Sequence, residues 1–125
     1  MIYGIGTDLV EITRFTRIMQ NNNRFLQRYY TEREQQLIQN RERKERTAAM
    51  NFAGKEAVSK ALGTGICRDV MLEEIEILRN INGAPYVVLY GRTKQYAQQK
   101  GITRIHISLS DTKQLASAYA VAEKE

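Results

Sequence analysis

The stretch FAGKEAVSKAL, Phe52–Leu62, sets one carboxylate, Glu56, between two lysines, Lys55 and Lys60, among residues that are mostly small or apolar. At helical spacing Glu56 and Lys60 share a face with Phe52, because residues four apart lie one turn above each other. Lys55 points about 100° away, near Ser59 and Leu62. The helix extends from about Arg43 to Leu62, with Met50, Ala53, Ala57 and Ala61 as its apolar stripe and Gly63 suited to its C-terminal cap. A Glu–Lys pair at this spacing also serves any exposed helix, for a few tenths of a kcal/mol. Gly54 argues for more. Inside a helix it costs up to about 1 kcal/mol relative to Ala, and it permits close approach of another element.

Upstream, IYGIGTDLVEI is β-branched and glycine-rich and reads as a strand. Alternation puts Gly4, Gly6 and Asp8 on one side and Ile5, Thr7 and Leu9 on the other. From Thr13 to about Gln39 the pattern is helical, and Thr31 followed by Glu34 is a capping-box signature. Downstream, EIEIL and PYVVLY flank NING, whose Asn82-Gly83 pair marks a hairpin turn. RTKQYAQQK reads as a short helix closed by Gly101. In ITRIHISLS, Ile105, Ile107 and Leu109 face one way and Arg104, His106, Ser108 and Ser110 the other. LASAYAVAE is the last strand. Helices cluster in the first half and mostly antiparallel strands in the second, so the class is α+β. The expectation is one domain, 1–125, with an antiparallel sheet packed against a long helix and several shorter helices.

Composition narrows the function. At 42% apolar residues the chain can build a core. No apolar run is long enough to span a bilayer, and the start lacks the pattern of a signal peptide, so a soluble cytoplasmic protein is expected. One Cys and one His exclude an internal disulfide and a zinc site of the usual kind. A metal here would be a hard cation on carboxylates. The segment from Arg14 to Arg46 holds nine Lys/Arg against four Asp/Glu and carries the whole net charge of +5. That concentration suggests an anionic partner, although a solvated helical face reads the same way.

Three features suit phosphate chemistry. Asp8 is an acid within a strand, where Asp is disfavoured, on a glycine-lined side with room for a ligand or another backbone. With Glu56 it could hold Mg²⁺, which takes one or two carboxylates plus substrate phosphates. Gly63-Thr64-Gly65 follows the helix directly, as a plain helix stop or as a turn whose amides could contact phosphate. Arg104, His106, Ser108 and Ser110 present a cation, a titratable ring and two hydroxyls together, or else form a solvated strand face.

These segments, in this order, resemble the holo-(acyl carrier protein) synthase family of small bacterial 4'-phosphopantetheinyl transferases. GIGTDLVEI is similar to the family's N-terminal strand motif, and FAGKEAVSKALGTGI to its helix motif. NGAPYV and IHISLS resemble two later motifs. The resemblance implies transfer of 4'-phosphopantetheine from coenzyme A to a serine of apo acyl carrier protein, releasing adenosine 3',5'-bisphosphate, in support of fatty acid biosynthesis. By that resemblance Asp8 and Glu56 would ligate Mg²⁺ and, with Lys60 near the phosphates, carry the catalysis. Gly63, Gly65 and Pro85 would line the nucleotide, and His106 and Ser110 would contact the coenzyme A phosphates from a neighbouring subunit of a homotrimer. Arg14, Arg17, Arg24, Phe25 and Arg28 fall in the region that docks the acidic carrier.

Two positions depart from the family pattern. Asp111 stands where members commonly carry His, which places a negative charge near the proposed phosphates. Asn51 stands where Arg is frequent, which implies a different phosphate grip. Two other readings compete. A nucleic-acid-binding protein would use RERKER, Arg41–Arg46, with Phe25, Tyr29 and Tyr30 as stacking groups. Four interleaved acids and the lack of a known motif count against it. An interaction module without catalysis is the other.

Overall fold

A computed structural model describes residues 1–125. In chain order the elements are β1 (Ile2–Glu11), α1 (Ile12–Asn21), α2 (Phe25–Tyr29), α3 (Glu32–Gln39) and α4 (Lys44–Ala61). A 3-10 turn (Leu72–Glu74) leads into β2 (Ile75–Arg79), β3 (Pro85–Leu89), α5 (Gly91–Gln99), β4 (Ile102–Asp111) and β5 (Leu115–Lys124). The expected α+β architecture is present, with the strands divided between two sheets. One is antiparallel with order β1-β5-β4, and the other is the β2–β3 hairpin.

Helix α4 lies on the three-stranded sheet, and the register shows why it can come so close. Across the strands the rows on its side are Gly4–Ala122–Ile105, Gly6–Ala120–Ile107, Asp8–Ala118–Leu109 and Val10–Ala116–Asp111. β1 and β5 offer mostly hydrogen or methyl groups, while β4 offers larger side chains. A Cβ on Gly4 would overlap the Ala61 carbonyl, and one on Gly6 the Ala57 carbonyl. The room beside Asp8 is therefore filled by helix backbone. Ala53, Ala57 and Ala61 of α4 are fully buried in this contact. Gly54 lies toward the β4 edge of the sheet, where Ile77 of β2 and Ile107 and Leu109 of β4 crowd it. The close approach read from that glycine is made by β2 and β4.

The helical stretch after β1 is broken into three. Asn22 and Asn23 separate α1 from α2, and Thr31 starts α3 with a complete capping box to Glu34. These helices bury a second cluster of Phe15, Phe25, Tyr30 and Ile38 against Ala48 and Ala49. The EIEIL strand does not alternate between core and solvent. Ile75 and Ile77 pack in the main core, yet Glu76 is also 1% exposed, held by the Thr31 and Tyr90 hydroxyls. No helix is long and apolar enough to cross a membrane.

Replacing Gly6 by Ala forces a methyl group into helix backbone that cannot rotate away. We expect a loss of about 2–3 kcal/mol, read as a fall of roughly 10 °C in the thermal midpoint. An unchanged midpoint would mean that α4 does not sit at this distance in solution.

Candidate active site

Where α4 passes β1, three of the residues singled out in the sequence come together. The Lys60 ammonium donates to the Thr7 carbonyl at 2.9 Å and to Asp8 Oδ1 at 3.3 Å. Glu56, one turn earlier on the same helix face, lies within the electrostatic reach of both Asp8 and Lys60. The Asp8 side chain is 18% exposed and that of Lys60 49%, so the group opens to solvent. Asp8 occupies the strand position after Gly6 on the helix-facing side. The alternation that puts glycine under α4 also delivers a carboxylate at its margin.

Burial raises the Glu56 carboxyl above the ordinary range, the Asp8 charge raises it further, and Lys60 opposes both. Two carboxylates within each other's electrostatic field, with one partly offsetting ammonium, suit a hard divalent cation, which would relieve their repulsion. Only two acids meet here, and no group of three or more metal-ligating side chains occurs in the chain. A bound ion would therefore keep coordination positions for water or substrate oxygens.

Lys55 takes no part in this group. It is fully buried, and its ammonium donates to Glu34 Oε1 and to the carbonyls of Leu72 and Ile75. The two lysines of the opening motif thus have separate roles, set by the 100° between Lys55 and Glu56.

The remaining residues fall in distinct places. Gly63 and Gly65 have positive φ (91° and 66°), and their amides bond the Lys60 and Ser59 carbonyls. Of the two uses open to these amides, the structure commits them to the helix stop. Pro85 pairs with Arg79, whose guanidinium reaches Asn51 on α4. From Asn51 to Gly63 is about 18 Å of helical rise, so Pro85 and the turn lie well apart along α4. His106 and Ser110 are exposed on the sheet face turned away from α4, and His106 Nε2 lies 2.9 Å from Glu123 Oε1. They do not meet Asp8 and Glu56 within one chain. Arg14, Arg17, Arg24 and Arg28 are exposed and make no ion pair. Phe25 differs from expectation. It is 8% exposed and packs among Phe15, Tyr29, Tyr30 and Phe52, so it holds α2 in place and offers a partner little surface.

The two departures are resolved locally. Asp111 pairs with Arg46 at 3.2 Å, which neutralises it against α4. Asn51 is fully buried and bridges Glu34, the Ile77 carbonyl and Arg79. A groove of about 570 Å³ lined by Val10, Thr13, Arg14 and Leu115 among others adjoins the start of α1. The paired acids do not line it.

The sequence profile of the 4'-phosphopantetheinyl transferase superfamily matches residues 4–121. The chain belongs to that superfamily. The transferase is 47% identical over 123 residues to the holo-[acyl-carrier-protein] synthase of Lachnoclostridium phytofermentans, covering 98% of this chain and 97% of that protein. Its fold matches the crystal structure of holo-[acyl-carrier-protein] synthase from Neisseria meningitidis with a TM-score of 0.93 at 34% identity, over 99% of this chain and 100% of that one. A holo-(acyl-carrier-protein) synthase from Bacillus anthracis, solved in complex with CoA (3',5'-ADP), matches with a TM-score of 0.84 at 31% identity, over 100% and 99% of the two chains. The expected enzyme class, a phosphopantetheinyl transferase, is thereby shown.

A raised carboxyl pKa means that the folded state binds this proton more tightly than the unfolded chain does. The resulting stabilisation is full below the ordinary Glu value and is lost as pH rises through the raised folded value. We therefore expect Glu56→Gln to melt at a higher temperature than the wild type at neutral pH, with the difference shrinking toward pH 4. A variant that melts lower at pH 7 would contradict the assignment of Glu56 as a partly buried, charge-crowded acid.

Proposed function

We propose that the chain transfers 4'-phosphopantetheine from coenzyme A to a serine of an apo acyl carrier protein, with Mg²⁺ held by Asp8 and Glu56. The observation that carries the reading is the convergence of Glu56, Asp8 and Lys60 where α4 crosses β1. The two relatives and the coenzyme A complex described above support the substrate pair.

The serine hydroxyl attacks the phosphorus that bears the pantetheine arm. A P–O bond of the diphosphate breaks, and adenosine 3',5'-bisphosphate leaves. A divalent ion, when bound, withdraws negative charge from the diphosphate oxygens. Glu56, directly or through a water, orients the hydroxyl and accepts its proton. Lys60, steadied by the Thr7 carbonyl and Asp8, offsets charge on the leaving phosphate. The exposed, unpaired Arg14, Arg17, Arg24 and Arg28 steer the acidic carrier, an effect that salt weakens. The nucleic-acid reading loses Phe25 and Tyr30 as stacking groups, because both are buried.

We also propose a homotrimer. On the sheet face away from α4, Ile5 (71%), Leu9 (63%) and Tyr119 (64%) stand exposed beside His106 and Ser110. Covering that face with another copy would bury the apolar groups and bring His106 and Ser110 toward a neighbour's site. Coenzyme A as substrate and one free cysteine fit a cytoplasmic enzyme serving fatty acid biosynthesis.

Incubation with coenzyme A, Mg²⁺ and an apo carrier should add one phosphopantetheine mass to the carrier. Glu56→Gln should lower the rate by about two to four orders of magnitude while remaining folded. Full activity in that variant would remove the mechanism. Tyr119→Glu should shift the mass in solution from three times 14.4 kDa toward one and abolish transfer. A wild-type monomer with full activity would refute the trimer.

A further inference from the structure

Next to Glu56 in sequence and about 100° round the helix from it, Lys55 sits in a buried polar cluster. Its three acceptors come from three elements: the Glu34 carboxylate of α3, the Leu72 carbonyl of the 3-10 turn and the Ile75 carbonyl of β2. The ammonium also lies 5.1 Å from the centre of the Tyr30 ring. Glu34 in turn accepts from the Thr31 amide at 3.0 Å, the Asn51 side chain at 3.0 Å and the Ile77 amide at 3.2 Å. Lys55, Glu34 and Asn51 are all fully buried.

A buried ion pair is a poor way to stabilise a fold, because apolar replacements of similar volume serve as well or better. What a pair with three fixed acceptors does supply is a unique orientation. On the sheet side β1 and β5 meet α4 with hydrogen and methyl groups, which set its distance, and β4 packs Ile107 and Leu109 against Gly54; none of these contacts is directional as a hydrogen bond is. The tips of helix side chains ride about 5–6 Å from the axis, so a 20° turn of α4 would carry the Glu56 carboxylate about 2 Å. A misplacement of about 1 Å can cost on the order of 100-fold in rate.

We infer that Lys55, locked to Glu34, the Leu72 carbonyl and the Ile75 carbonyl, is a positioning residue that fixes the rotation of α4 and so aims Glu56 at Asp8. This rests on the function proposed above. Lys55 touches no substrate and moves no proton. It acts only through the direction in which its sequence neighbour points.

The test is the double variant Glu34→Gln, Lys55→Met, which removes both charges at nearly constant volume and leaves a side-chain carbonyl on α3 to accept from the Asn51 side chain and the Ile77 amide, which share one Glu34 oxygen. Melting, steady-state kinetics on coenzyme A and apo carrier, and Mn²⁺ binding followed by electron paramagnetic resonance without substrates are compared with the wild type. We expect a folded protein with KM values within twofold, kcat at least tenfold lower and Mn²⁺ bound at least fivefold more weakly. A folded double variant with wild-type kcat and Mn²⁺ affinity would overturn the inference. Should the double variant not fold, Glu34→Gln alone decides: about threefold lower kcat at unchanged KM supports the role, and unchanged kcat removes it. A wild-type protein that neither binds Mn²⁺ nor modifies the carrier would instead defeat the proposed function itself, and the positioning role with it.

Discussion

Helix α4 rests on β1 and β5 with only hydrogen and methyl groups between them at Gly4, Gly6, Ala118 and Ala120. Everything at the site follows from that distance. A larger side chain at any of these positions would lift the helix, and interiors packed to native density have no slack to absorb the change. The lift would take Lys60 from the Thr7 carbonyl and Glu56 from the field of Asp8. The apolar contact is plain in chemistry, yet it places two like charges near each other, which no favourable pairwise force would do.

The other side of α4 is held differently. There the contacts are polar and directional, from Asn51 and Lys55 to Glu34 and β2. Burial pushes the Glu34 carboxyl up and the Lys55 ammonium down, and the charge of each opposes the shift of the other. Small apolar groups set how near the helix lies, and a buried polar network sets how it is turned. Lys60, half exposed at the open margin, is held by the Thr7 carbonyl and Asp8.

Local pattern carried much of this. The capping box at Thr31 and Glu34, the Asn82-Gly83 hairpin, the strand alternation around Asp8 and the Glu56–Lys60 face are decided within a few residues, and the structure has each of them. What short-range pattern could not show was burial decided by distant partners. Lys55 looks like any helical lysine until Glu34, 21 residues earlier, closes over it. Glu76 breaks its strand's alternation because Thr31 and Tyr90 reach it from other elements. Phe25 reads as a surface aromatic in a basic helix, but the turn at Asn22–Arg24 swings it into the core. The Gly63–Gly65 amides were open to two uses because a helix stop and a phosphate turn share the same residues.

The proposed metal role of Asp8 and Glu56 is the point at which fold and chemistry join. Crystals of the transferase grown with Mn²⁺ and coenzyme A, measured at a wavelength where manganese scatters anomalously, test it directly. We predict a single manganese peak within ligand distance of both carboxylates and of the diphosphate. Manganese bound by only one of them, or seated elsewhere on the chain, would contradict the account.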